Sequence, residues 1–120
     1  MITKEEFIKY ISLYQKFNES VERLEKSITG RNDVYFIYET DWCEAVGKML
    51  DTFLDSHFTN YGVDWICYFL FEDVDDKAAY VKHEGDMFNE EKEIRYPLDT
   101  TDELWNFLQT DIKAYFKNAN

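Results

Sequence analysis

Thr3 and Glu6 stand at capping-box spacing, and behind them Phe7, Tyr10, Tyr14, Phe17, Val21, Leu24 and Ile28 recur in alternating steps of three and four. This period predicts a first helix from about Glu5 to about Ile28, with Gly30 as its C-terminal cap. The same spacing fits a coiled-coil seam, which makes a homodimer through the first helix one outcome. Ile8, Ile11 and Leu13 widen the stripe beyond a seam, so packing within the chain is the expectation. Residues 34–38 are all apolar and fit a short strand or a loose helical turn. Asp41 then has the character of an N-cap. The helix it would open buries Trp42, Val46, Met49, Leu50, Phe53, Leu54 and Phe58, exposes Glu44, Lys48, Asp51 and Asp55, and ends at Asn60-Tyr61-Gly62.

Asp64 begins the most apolar run, Trp65 to Phe71, which composition alone reads as a buried strand almost as well as a helix. Beyond Glu72-Asp73-Val74-Asp75-Asp76, the segments Ala79 to His83 and Glu93 to Tyr96 have the pattern of a hairpin with a long polar tip through Gly85 and Asn89. Pro97 closes its second strand. Thr100 and Glu103 repeat the capping-box spacing, and Leu104, Trp105, Leu108, Ile112, Tyr115 and Phe116 form the apolar face of a final helix. The expected architecture is α+β and mainly helical. Three to four helices pack around an aromatic core with one small antiparallel β-hairpin, in a single compact domain over residues 1–120.

Composition supports a folded chain, since ten Phe, nine Tyr and three Trp can bury large areas. Four Gly and one Pro leave little punctuation for long loops. The start, Met1-Ile2-Thr3-Lys4-Glu5-Glu6, lacks the basic and apolar regions of a secretory signal, and no run has the length of a membrane span. A cytoplasmic protein is expected. Cys43 and Cys67 are too few for a disulfide framework and sit among apolar residues, as reduced core thiols do.

The net charge of −12 argues against direct binding to nucleic acid or to an anionic membrane, because both need Lys and Arg to neutralise phosphates. That charge is concentrated. Between Glu72 and Glu103 lie twelve acids and four bases, so about a quarter of the chain holds eight of the twelve net negative charges. The expected partner is a basic protein surface.

Other chemistry finds little support. Asp73, Asp75 and Glu84 occupy positions one, three and twelve of an EF-hand template, but Lys77 and Ala78 stand where an oxygen ligand and the turn Gly belong. Cys43, Cys67, His57 and His83 lack the close spacing of a structural zinc site. Neither Cys has a neighbouring cation to lower its pKa for nucleophilic attack. Adjacent acids such as Glu90 and Glu91, or Asp75 and Asp76, lie in polar stretches instead of the apolar setting that raises a catalytic pKa. The four Gly are isolated, so no phosphate-cradling loop is present. The expectation is a protein that is not an enzyme, with no catalytic residues, no metal and no cofactor.

Asp64-Trp65-Ile66-Cys67-Tyr68-Phe69-Leu70-Phe71-Glu72-Asp73, followed by Pro97-Leu98-Asp99-Thr100-Thr101-Asp102-Glu103-Leu104-Trp105, resembles a pattern in uncharacterised small acidic proteins of phages and mobile elements of gut and Gram-positive bacteria. The resemblance covers roughly the second half of the chain. It implies a helix from Asp64 through Glu72. Those proteins often carry a Gly soon after the acidic residue, where this chain has Val74-Asp75-Asp76-Lys77. The resemblance implies a setting and no activity: proteins of mobile genetic elements, among which inhibitors of host defence are common.

The candidate partner-binding residues are Glu72, Asp73, Asp75, Asp76, Glu84, Asp86, Glu90, Glu91 and Glu93, which flank the hairpin with Tyr80, Phe88 and Tyr96 interspersed. Carboxylates on a rigid element approximate phosphate charge, and aromatic rings can stand in for stacked bases. Such a surface could occupy the basic channel of a CRISPR effector or a DNA-processing protein, making the chain an acidic inhibitor and DNA mimic. Two alternatives use the same residues differently. One is an immunity-type protein that neutralises a basic toxin, and the other is a structural or assembly module whose charge only solubilises it.

Overall fold

A computed structural model describes residues 1–27, 34–88 and 90–118. Helix α1 spans Lys4–Ser27, and its start is capped by Thr3, whose Oγ1 accepts from the Glu6 N–H at 3.2 Å. Phe7, Ile11 and Tyr14 are buried, and Tyr10, Leu13 and Phe17 flank them, so the wide stripe packs within the chain against α2 and α4. Ile28 and the Gly30 cap lie outside the described residues.

Helix α2 spans Val34–His57. Residues 34–38 are therefore helical, neither strand nor loose turn, and Asp41 is an interior exposed position instead of an N-cap. No Pro and only one Gly interrupt the segment, and a nucleated helix propagates through such a run at little cost. The buried line is Cys43, Leu50, Phe53 and Leu54, with Val46 beside it. Trp42 and Met49, expected in the core, lie seven residues apart on the exposed flank of that line.

Asn60-Tyr61-Gly62 does not end a helix but opens α3, Asn60–Phe71. Thr59 is the N-cap and accepts from the Gly62 N–H at 3.2 Å. The glycine answers a tertiary demand: a Cβ at Gly62 would meet the Tyr115 carbonyl oxygen at 2.3 Å. Composition left Trp65 to Phe71 open between strand and helix, and these residues are helical, burying Ile66 and Phe69.

Strands β1, Ala78–His83, and β2, Lys92–Pro97, pair antiparallel with Ala78 opposite Pro97 and His83 opposite Lys92. Helix α4, Thr101–Gln109, carries the complete capping box of Thr100 and Glu103. The expected final helix is two helices, because α4 stops and α5, Ile112–Tyr115, follows. At the break, Thr110 Oγ1 donates to the Phe107 carbonyl at 2.6 Å, and Asp111 accepts from the Ala114 N–H at 3.2 Å. Such side-chain bonds offer the backbone an alternative to the helical ladder. The α+β, mainly helical class holds, with five helices among the described residues where three to four were expected.

The core is aromatic, with Phe7, Phe58, Phe107 and Phe116 fully buried. Phe58 lies 5.9 Å from Phe7 and 5.1 Å from Phe116, and Trp105 bridges Phe7 at 5.1 Å and Phe116 at 5.8 Å. Main-chain bonds close the same region, from Thr59 N–H to Tyr115 at 3.1 Å and from Lys117 N–H to His57 at 3.0 Å.

Candidate binding surface

The hairpin is held to the helical body at its base. Ala78, Ala79 and Leu98 are buried there, and Tyr96 packs edge-on to Phe107 at 5.3 Å. Leu98 N–H donates to the Lys77 carbonyl at 2.9 Å. The Lys77 ammonium reaches back to donate to the Phe69 carbonyl at 2.8 Å and lies 5.7 Å from the Phe69 ring, a favourable position for a cation at the C-terminal end of α3. Alternation along the strands then separates two faces. Ala79, Val81, Ile94 and Tyr96 share the inner face, while Tyr80, Lys82, Glu93 and Arg95 share the outer one.

All nine candidate acids are exposed. They do not form one continuous strip. Glu72, Asp73, Asp75 and Asp76 gather at the root, between α3 and β1, and Glu84, Asp86, Glu90 and Glu91 gather at the tip, between β1 and β2. Glu93 lies on β2 opposite Lys82. Five strand steps of about 3.4 Å set the two groups roughly 17 Å apart, about twice the Debye length at physiological salt. Between them the outer face carries Lys82 and Arg95. Arg95 pairs with Asp76, which also accepts from the Tyr80 hydroxyl at 3.4 Å, and Lys82 pairs with Glu91. The negative field is therefore two poles around a neutralised middle.

The tip adds a feature that charge counting missed. Met87 is 91% exposed and Phe88 88% exposed, the two most exposed large apolar side chains among the described residues. Asp86 accepts from the Phe88 N–H at 2.8 Å, which ties the turn to the acid beside it. With Gly85, Asp86, Glu90 and Glu91 they border an open concavity of about 470 Å³. An apolar pair inside an otherwise polar loop was the available sequence signal. Of the three interspersed rings, Tyr80 and Phe88 face solvent, while Tyr96 is committed to the body.

The remaining candidate chemistry is dispersed. Cys43 is buried on α2, and Cys67 is half-buried on α3, where burial first, then Asp64 and Asp51, push its thiol pKa up. That is the reverse of an activated nucleophile. Among the described residues, no three His, Cys, Asp or Glu side chains converge on a metal-ion position. Among them, too, no helix is long and apolar enough to cross a membrane. Compared with models of protein families, with characterised proteins and with solved structures, the chain finds no match.

Proposed function

We propose that this chain is an acidic protein-binding inhibitor whose hairpin occupies a basic, nucleic-acid-binding surface of a host-defence protein of the CRISPR type or of a DNA-processing protein. The observation that carries the reading is the hairpin end, where Met87 and Phe88 stand exposed among Glu84, Asp86, Glu90 and Glu91. Exposed apolar side chains inside a single-sign charged rim suit a contact that charge steers and apolar burial then holds. The two acidic poles would meet Lys and Arg that otherwise grip phosphates, and Phe88 would take a position open to a base. The resemblance to phage and mobile-element proteins agrees with an inhibitor of host defence.

The test captures the partner from a bacterial lysate at low salt and asks whether duplex DNA or high salt releases it. Asp73→Lys, Asp75→Lys, Glu84→Lys and Glu90→Lys are combined in one variant, which spares the ion-paired Asp76 and Glu91 and so leaves the hairpin's own bonds intact. The variant should capture nothing while keeping the parent's melting temperature. Equal capture by parent and variant, or a partner that DNA does not displace, overturns the reading.

A further inference from the structure

Away from the hairpin strands, α1, α2 and α3 border an open cavity of about 330 Å³. Its wall includes three aromatic rings, Tyr14, Phe17 and Phe71, and two carboxylates one helical turn apart, Asp51 and Asp55. Tyr14 stands nearly perpendicular to both other rings, to Phe17 at 6.3 Å and 84° and to Phe71 at 6.5 Å and 82°. Rings meeting at right angles let one cation contact more than one π surface. The Tyr14 hydroxyl donates to Asp51 at 3.0 Å, which fixes that carboxylate against the ring. Phe71 is 55% exposed at the end of α3, which leaves its ring accessible to a ligand in the cavity.

We propose that this cavity binds an alkylammonium group, with Phe17 and Phe71 supplying ring surface, Asp51 and Asp55 the countercharge, and buried Tyr14 holding Asp51 in place. No Lys or Arg lines the cavity, and Lys117 reaches only the main-chain carbonyl of Asp55. The two carboxylates also act on the wall around them. Burial, then the bond to Asp51 and the charges of Asp51 and Asp55, raise the Tyr14 phenol well above its ordinary range, and Asp51 also contributes to the raised thiol of Cys67. Burial disfavours a charge of either sign, and it is the share of these shifts owed to Asp51 and Asp55 that would favour a cation. A quaternary ammonium fits best, because its methyl groups gain from aromatic contact and it sheds water more readily than a primary amine. The group could belong to a small molecule or to a methylated lysine of a protein.

Choline and its neutral isostere 3,3-dimethylbutan-1-ol, which differ in the central atom and its charge, are titrated into the full chain and followed by two-dimensional NMR. Choline should shift resonances of Phe17, Cys67 and Phe71 saturably, and the isostere should bind about tenfold more weakly, the scale of one cation–π contact with an exposed ion pair. Asp51→Asn with Asp55→Asn should reduce that preference to the part the rings supply, since Asn still accepts the Tyr14 hydrogen bond and the fold stays intact. Phe71→Ala should weaken choline binding without unfolding, because the ring is largely exposed. A peptide carrying trimethyllysine forms the second arm: tighter binding than choline assigns the site to a protein side chain, and weaker binding assigns it to a free amine. Equal binding of choline and its isostere, or a charge-neutral variant that discriminates them as strongly as the parent, overturns the proposal.

Discussion

Phe58 lies at the joint of two helices and is 1% exposed, whereas Phe88 lies at the end of the hairpin and is 88% exposed. The first touches Phe7, Phe53 and Phe116, so its burial is shared among α1, α2 and the end of α5. The second has a bond from its own backbone to Asp86. The body gains stability from rings that many helices cover at once. A two-stranded hairpin in water is marginal alone, so the arm inherits its order from the base, through Ala79, Leu98 and Tyr96. The difference is one of stability: the buried rings of the body can be changed only at the cost of folding, and the exposed side chains of the tip can be changed with little effect on it.

The largest break in that contrast comes from Phe107, which serves both regions through Trp65, Tyr115 and Tyr96. Phe107→Ala should cost roughly 3 to 5 kcal/mol in urea unfolding, and a loss under about 1 kcal/mol would show that the two regions do not share it. Gly62→Ala should follow, at about 3 kcal/mol, because the added methyl meets main-chain Tyr115 and not a side chain able to turn away. A thermal melt unchanged from the parent would refute that close approach.

Tyr96→Ala sharpens the comparison, since it removes an aromatic contact of about 0.5 to 1.5 kcal/mol at the hairpin base. Amide exchange should accelerate along β1 and β2 and stay slow in α1 and α2, whereas uniform acceleration would mean that arm and body unfold together. Tyr14→Phe removes the bond to Asp51 at a cost of about 1 kcal/mol near neutral pH. The folded state holds this phenol above its ordinary value of 10.0, so it favours the neutral form. Stability from that preference is complete below about pH 10 and is lost as pH rises further. Parent stability should therefore fall more steeply than that of Tyr14→Phe in alkaline unfolding experiments, and parallel curves would contradict the shift. The smallest stability change, under about 0.5 kcal/mol, belongs to Met87→Ser with Phe88→Ser, which should nonetheless weaken partner capture at low salt.

Much of this contrast was legible in the chain. The first helix, the capping box at Thr100 and the two strands follow from periodicity and caps, which act over a few residues and survive any fold. Asp41, Trp42 and Met49 were misassigned because a continuous apolar run lets a helix begin earlier and turn by one residue, and neighbouring helices alone decide which flank they cover. Gly62 was assigned to a turn because a turn and a close helical contact both call for the same missing side chain. The acids of the candidate surface were visible as a concentration of charge. Their separation into two poles was not, since it depends on strand register and on the pairings of Asp76 with Arg95 and Glu91 with Lys82.

The amino-acid sequence by itself determined a mainly helical chain with an aromatic core, one hairpin and a net charge of −12 gathered toward that hairpin. Tertiary structure alone decided which rings are core and which are presented. It brought Tyr14, Phe17, Phe71, Asp51 and Asp55 from three helices to one cavity. The reason is range: propensity, capping and charge density are local sums over neighbouring residues, whereas burial and pairing arise between residues whose separation in the chain carries no trace of their distance in space.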